Sequence, residues 1–199
     1  MDEVRIRLAN PERDGTALAD IYRPYVLETA LTTEIVPPDG VEFGHRIDQV
    51  LQRHPFLVAE RDGQVVGYAY ASAFHARAAY DWTAETSIYL SRKERGHGTG
   101  RKIYTMLEML LREEGIVNLT ACITAPIPGD NTVPPDSPPF HAALGYIPCA
   151  RFEDCFMKYG RWYTVLWMQK LIGPRLSKMP PVHCWPEISA KLKEKYHLS

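Results

Sequence analysis

The 199-residue sequence has no surplus of charge of either sign: 23 Lys and Arg face 24 Asp and Glu, for a formal net charge of -1. A dedicated nucleic-acid binder normally carries a basic excess that displaces phosphate counterions, so no nucleic-acid partner is expected. No apolar run approaches the roughly 18 residues that a membrane-spanning helix needs. The first residues, Met1-Asp2-Glu3-Val4-Arg5, lack the basic-then-apolar pattern of a secretory leader. The expectation is a soluble, cytoplasmic protein without a membrane partner. Cysteine is also sparse. Cys122, Cys149, Cys155 and Cys184 show no Cys-x-x-Cys pair and no regular disulfide spacing. Cys149 and Cys155 with His183 and Cys184 are the one set to weigh for zinc, but scattered reduced thiols fit the spacing better and no metal is expected. Internal repeats and low-complexity tracts are absent.

What is present is the material of a packed core: 45% hydrophobic, 11% aromatic and 24% charged residues. Residues 4–8 alternate Val-Arg-Ile-Arg-Leu, a half-buried strand. Asn10-Pro11 opens a helix whose stripe is Leu18, Ile21, Tyr22 and Tyr25. A second helix is expected over 41–53, with Phe43, Ile47, Val50 and Leu51 on one face. Strands over 56–61 and 64–72 meet at Asp62-Gly63, a strong hairpin signal. A strand over 84–91, a glycine-rich turn and a helix over 99–114 follow, with Gly115 as the stop. A strand over 119–124, a short helix over 137–144, strands over 151–159 and 162–169, and a helix over 186–196 complete the order. Six of the 16 prolines fall between 126 and 139. That density excludes helix and central strand and marks a long loop, functional or mobile. The reading is an α+β protein with a mostly antiparallel mixed sheet flanked by helices, as one domain over 1–172 and an extension over 173–199.

The segment that carries chemistry is Arg95-Gly96-His97-Gly98-Thr99-Gly100, between a strand and a helix. Glycines at alternate positions let a backbone approach a ligand closely, and their N–H groups sit at a helix N-terminus that favours an anion such as pyrophosphate. Arg95 and Lys102 add charge. A Walker loop fails, because Gly100 is followed by Arg101-Lys102-Ile103. A dinucleotide fingerprint fails too, because Ile103 stands where its third glycine belongs.

The pattern Arg-x-x-Gly-x-Gly, met by Arg95, Gly98 and Gly100, resembles the coenzyme loop of the GNAT-superfamily N-acetyltransferases. Stretches 55–60 (PFLVAE), 76–83 (ARAAYDWT), 85–90 (ETSIYL), 141–146 (HAALGY) and 158–162 (KYGRW) are similar to one branch, the phosphinothricin acetyltransferases, and cover roughly residues 4–169. The resemblance implies a single GNAT-like domain with a central strand–glycine loop–helix unit, acetyl-CoA as cosubstrate, a homodimer, and acetyl transfer by direct attack of a small amine. It implies that Glu85 is the base and that the strand through Ile88, Tyr89 and Leu90 splays from its neighbour to pair with pantetheine. Gly96, His97, Gly98, Thr99, Gly100 and Lys102 then hold the pyrophosphate with Arg95, and Asn131 lies near pantetheine. His141 matches a histidine of the branch and orients the base, relays a proton or meets substrate. Tyr104 is a candidate proton donor to the leaving thiolate. Arg77 is placed to grip an anionic group on the acceptor, with Tyr80 beside it.

Two departures both touch the acceptor side. The loop 131–137 is longer than the branch shows, and residues 31–36 lack an aromatic side chain near Thr33. The leading expectation is N-acetylation of a small amino acid or analogue of the phosphinothricin or methionine sulfoximine type. Acetylation of a different amine or a protein N-terminus, and a non-catalytic acyl-CoA-binding domain, remain open at this point.

Overall fold

Alternating strands and amphipathic helices assemble around one sheet. The computed structural model describes residues 4–94 and 96–198. Among these, the chain order is β1 (Arg5–Leu8), α1 (Pro11–Glu28), α2 (Gly40–Leu51), β2 (Phe56–Arg61), β3 (Gln64–Ala73), β4 (Thr83–Leu90), α3 (Thr99–Glu114), β5 (Asn118–Thr124), α4 (Ser137–Ala143), β6 (Ile147–Lys158), β7 (Arg161–Leu171) and α5 (Trp185–Tyr196). Short 3-10 turns at Ala78–Tyr80 and Arg92–Glu94 flank β4. The seven strands form one open sheet in the order β1-β2-β3-β4-β5-β7-β6, and every pair is antiparallel except β4 with β5. The expected fold class holds.

Each face of the sheet has its own core. On one face, Ile103, Leu107, Leu110 and Leu111 of α3 pack on Leu57, Ala69, Ala84 and Leu119. On the other, Leu18 and Tyr22 of α1 and Phe43 and Ile47 of α2 pack on Phe56, Val58 and Tyr68. Asn10 caps α1 by accepting from the Arg13 N–H at 2.8 Å, and Asp39 caps α2 by accepting from Glu42 at 2.9 Å. Beneath α1, the buried Arg7 guanidinium forks onto Asp14 at 2.7 and 2.9 Å and reaches Glu60 at 2.6 Å, tying β1, α1 and β2 together.

Three segments differ from the sequence reading or sharpen it. β6 starts at Ile147, ahead of the expected residue 151, and includes Pro148. It is an edge strand, where a missing N–H costs no ladder bond, and its residues are exposed on both faces, which erases the alternation. The proline-rich loop is pinned rather than loose. The Ala30 N–H donates to the Thr132 carbonyl at 2.9 Å, Arg161 pairs with Asp130 at 3.0 Å, and Val133 is buried against Ala30 and Tyr163. The extension docks on the body. Trp185, Leu192 and Leu198 enter the α3-side core, the Trp185 N–H donates to the Arg53 carbonyl at 2.9 Å, and the Trp82 indole donates to the Pro180 carbonyl at 2.8 Å.

Candidate active site

The parallel strands β4 and β5 are joined for only three residues: Thr83 with Asn118, Ala84 with Leu119, and Glu85 with Thr120. Beyond Glu85 the two strands run on, to Leu90 and Thr124, without pairing. Thr86 closes the ladder with its side chain, the hydroxyl donating to the Thr120 carbonyl at 3.0 Å. At the far end, the Tyr25 phenol of α1 donates to the Leu90 carbonyl at 2.6 Å, so that carbonyl is satisfied without β5. Each strand beyond the fork therefore keeps backbone groups turned toward a gap rather than a neighbour.

That gap is a cavity of about 630 Å³, within the range of cofactor sites. Its walls are residues 86–90 of β4 and 121–124 of β5, and its mouth carries Gly96, Gly98, Gly100 and Arg101. Gly96 and Gly98 adopt φ of 81° and 78°, a left-handed backbone that side-chain-bearing residues rarely take. Gly98 is the N-cap of α3 and offers no capping side chain, so the first N–H groups of the helix stay open to an anion. At Gly100 a Cβ would lie 3.1 Å from the Phe140 ring, so a side chain here would press Phe140 and Leu90 aside. The loop is braced from below. Buried Glu94 accepts from the Thr99 hydroxyl at 2.8 Å and pairs with Arg61 at 3.1 Å, and the Arg61 hydrogen bond holds its carboxyl below the usual range.

Glu85 stands at the apex of the fork. Its cross-strand partner Ser72 lines a second cavity, of about 330 Å³, and its neighbour Thr86 lines the first. Burial pushes the Glu85 carboxyl up. The Tyr70 phenol and the Cys122 thiol both feel its charge. Cys122 is exposed along the open cavity, and the desolvating surroundings together with the Glu85 charge raise its thiol pKa, which disfavours the thiolate.

His141 is 4% exposed on α4 and borders the larger cavity. Its Nδ1 lies 2.8 Å from the Ser137 carbonyl, which can only accept, so Nδ1 carries the proton and Nε2 faces the Tyr104 phenol at 3.2 Å. Burial lowers the His141 pKa, which keeps the ring neutral. The Tyr104 proton has two acceptors, His141 Nε2 and Thr86 Oγ1, the latter at 2.8 Å. A proton gained at Nε2 would reverse the first contact and leave the second in place.

The other expected residues divide. Ile88, Tyr89 and Leu90 line the larger cavity with Gly96, Gly98 and Gly100. Arg95 lies outside the described residues. Tyr104 is fully buried behind the wall, with its phenol driven well above the usual range by burial. Thr99 turns its side chain inward to Glu94, so any contact it makes with an anion comes from its backbone. His97, Lys102 and Asn131 are exposed and border neither cavity; Arg101, one position before Lys102, takes the place expected for it. Arg77 and Tyr80 also border neither cavity. Arg77 precedes the exposed turn at 78–80, and Tyr80 packs at a tilt against Phe74 and His75 instead. Sequence reading missed Tyr25, Arg101 and Phe140 at the larger cavity and Arg46, Gln49 and Arg53 at the smaller. The spacing 46, 49, 50, 53 was a usable signal for the last group, since it marks one helix face.

Comparison with known proteins agrees with this geometry. The family described as acetyltransferase (GNAT) domain matches residues 6–167. A phosphinothricin N-acetyltransferase of Alcaligenes faecalis is 34% identical over 176 residues, covering 84% of this chain and 82% of that protein. One from Streptomyces viridochromogenes is 32% identical over 157 residues, covering 79% and 82%. The crystal structure of a GNAT-superfamily phosphinothricin acetyltransferase from Sinorhizobium meliloti in complex with acetyl-CoA superimposes with a TM-score of 0.80 at 32% identity, over 92% of this chain and 96% of that one.

Proposed function

The chain belongs to the GNAT acetyltransferase family and is an acetyl-CoA-dependent N-acetyltransferase, and from that premise we propose that its acceptor is the primary amine of a small amino acid or analogue, of the phosphinothricin or methionine sulfoximine type. The observation that carries the reading is the position of Glu85, at the apex of the fork, with its cross-strand partner Ser72 on one cavity and its neighbour Thr86 on the other. The names of the relatives support the acceptor class.

The residues present suit the cosubstrate. The open first turn of α3 and the loop through Gly96, Gly98 and Gly100 take the pyrophosphate, helped by Arg101. The free edge of β4 along Ile88, Tyr89 and Leu90 takes the amide-bearing arm. Acetyl-CoA supplies an activated acetyl group as a thioester.

The acceptor amine enters as an ammonium and attacks only after losing a proton. Glu85 removes that proton; burial raises its carboxyl pKa, which makes its carboxylate a stronger base than that of an exposed glutamate. Amine deprotonation at this carboxylate permits direct attack, and the thiol character of Cys122 supports the absence of an acyl-cysteine route. On the α4 wall, His141 with Tyr104 behind it forms the proton-holding pair, and His141 is the member that meets the cavity. We further propose that two chains pair at the β6 edge of the sheet, where Phe152 and Met157 of this edge strand and Trp162 of its neighbour β7 are more than half exposed. Cytoplasmic residence fits a chain with no helix long and apolar enough to cross a membrane among the described residues.

The test is release of free thiol from acetyl-CoA against L-amino acids, phosphinothricin, methionine sulfoximine and polyamines. Turnover concentrated on the amino acids and their analogues is expected. Turnover confined to amines without an acidic group, or none on any acceptor, would overturn the proposal.

A further inference from the structure

The fork hangs from a short ladder. β4 and β5 share three rungs, and β4 pairs with β3 only from Ala84 onward, so Thr83 has its strand partner on β5 alone. Trp82 comes one residue earlier. Its carbonyl accepts from both the Val117 and the Asn118 N–H, at 3.0 and 3.1 Å. The two parallel strands are therefore brought into register at Trp82, three residues before Glu85.

Trp82 is itself held from outside the sheet, by the extension after residue 172. Its indole N–H donates to the Pro180 carbonyl at 2.8 Å. The preceding residue, Asp81, pairs with the Arg53 guanidinium at 2.7 Å. Arg53 is tied to the same extension, because its carbonyl accepts from the Trp185 N–H at 2.9 Å. Between these two points, the His183 N–H donates to the Glu114 carbonyl at the end of α3, at 2.8 Å. The contacts close a ring from Asp81 through Arg53, Trp185 and Pro180 back to Trp82. Residues 180–185 thus form a strap that joins the end of α2, the end of α3 and the entry to β4. Trp185 is 4% exposed and packs with Leu192 in the α3-side core, so the strap is fastened to packed structure. It lies beyond the stretch that matches the acetyltransferase family, which ends at residue 167.

We infer that Trp82 is a positioning residue for Glu85: the strap of residues 180–185 fixes its indole, and Trp82 fixes the β4–β5 rungs that end at Glu85. That role rests on the proposed reading of Glu85 as the base. Neither Trp82 nor Pro180 borders either cavity, so both act through the backbone and touch no substrate. The coenzyme wall is buffered from the strap. Residues 86–90 are paired throughout with β3, and the Leu90 carbonyl is held by Tyr25. A shift at Trp82 accordingly reaches the Glu85 rung first and misplaces the proton acceptor, which lowers the rate of the chemical step more than the binding of coenzyme.

The experiment is a double-mutant cycle of Trp82→Phe and Glu85→Gln in the full chain, on the acceptor that the wild type uses best. Phenylalanine keeps an aromatic ring and removes the indole donor. Trp82→Phe is expected to lower kcat about tenfold, with the KM for acetyl-CoA unchanged, and to change kcat less than twofold once Glu85 is already glutamine. Lys195→Gln is the control. It breaks the Lys195–Glu113 pair on α5 while leaving residues 180–185 alone, and kcat should stay at the wild-type value. If Trp82→Phe lowers kcat by the same factor in both backgrounds, or only lowers Tm, the positioning role is overturned and the base reading stands. If Glu85→Gln by itself retains kcat, the base reading fails and the positioning role fails with it. Should Trp82→Phe not fold, Asp81→Asn runs the same cycle from the other side of the ring. Its ion pair with Arg53 is partly exposed, so that variant is expected to fold and to show the same loss of effect in the Glu85→Gln background.

Discussion

Glu85 and Thr120 form the last rung between the only parallel strands of the sheet, and every residue of β4 beyond that rung borders the larger cavity. The proposed base, Glu85, thus stands where a continuous sheet opens into a cleft. Its backbone is held by two neighbouring strands, and its cross-strand partner Ser72 and its neighbour Thr86 each line one of the two cavities. Rigid placement of this kind keeps a proton acceptor within reach of the reacting amine.

A pH profile follows from its burial. Glu85 must be ionised to accept a proton, and its pKa is raised. The acid limb of kcat/KM for the acceptor is therefore expected to bend above the ordinary carboxylate value of about 4.3, and activity falls as the pH drops through it. A limb at or below that value would show that the base is solvated or is a different group.

On the proposed assignment, the glycine loop serves coenzyme binding and leaves acceptor binding alone. Gly98 needs φ of 78°, and a Cβ there meets nothing within 4 Å, so Gly98→Ala introduces backbone strain without a clash. A non-glycine residue in this conformation costs roughly 1–2 kcal/mol. The KM for acetyl-CoA should rise about tenfold while the acceptor KM stays constant. Equal rises in both would mean that the loop also shapes the acceptor site.

Much of this arrangement is legible in the sequence, and the limits have physical causes. The β4–loop–α3 unit shows in its alternation, its glycine spacing and its helical stripe, because these are local patterns. The fork does not. The contacts at the fork join residues far apart in sequence: Thr86 bonds to the Thr120 carbonyl, and Tyr25 is 65 residues from the Leu90 carbonyl to which it donates. Arg77 attracted attention as an arginine in a stretch similar to relatives, but the turn at 78–80 leaves it in solvent. Arg46 and Arg53 had the right spacing, yet a basic stripe on a helix reads as a solvated face until the opposing strand is known. The extension after residue 172 carried an amphipathic pattern, and only the structure shows that Trp185 and Leu192 fill the core beneath α3.

The buried Arg7–Asp14–Glu60 cluster sets a stability prediction. Burial opposes the Asp14 charge, but its hydrogen bonds from Arg7 and the Asn10 N–H outweigh that and keep its carboxyl below the usual range. A depressed carboxylate stabilises the fold above the unfolded value of about 3.9, and that contribution is lost as the pH falls through the folded value. Asp14→Ala leaves a buried guanidinium short of a partner and should cost about 3–5 kcal/mol in urea unfolding at pH 7. A loss under 1 kcal/mol would mean that Glu60 alone satisfies Arg7.

His54 and Glu114 give the opposite slope. Their side chains meet at 2.8 Å, almost fully buried between the end of α3 and the start of β2. Burial pushes the Glu114 carboxyl up to about 9 and His54 down to about 4, so at neutral pH Glu114 keeps its proton and donates it to Nδ1. Folding then takes up a proton between the unfolded carboxyl value of about 4.3 and the folded value. Stability from this group declines as the pH rises through that window. Between pH 7 and 9, where His54 is neutral in both states, Tm should fall in the wild type and stay flatter in Glu114→Gln. Parallel curves would mean that the pair is an ion pair and not a neutral hydrogen bond.

The most direct test is the turnover of Glu85→Gln on the acceptor that the wild type uses best, measured with acetyl-CoA affinity on the same preparation. Glutamine keeps the shape and removes the base. The account predicts a fall in kcat of about 10²–10⁴ with coenzyme affinity unchanged. Retention of kcat within a factor of two or three would contradict it and move the proton acceptor away from the fork.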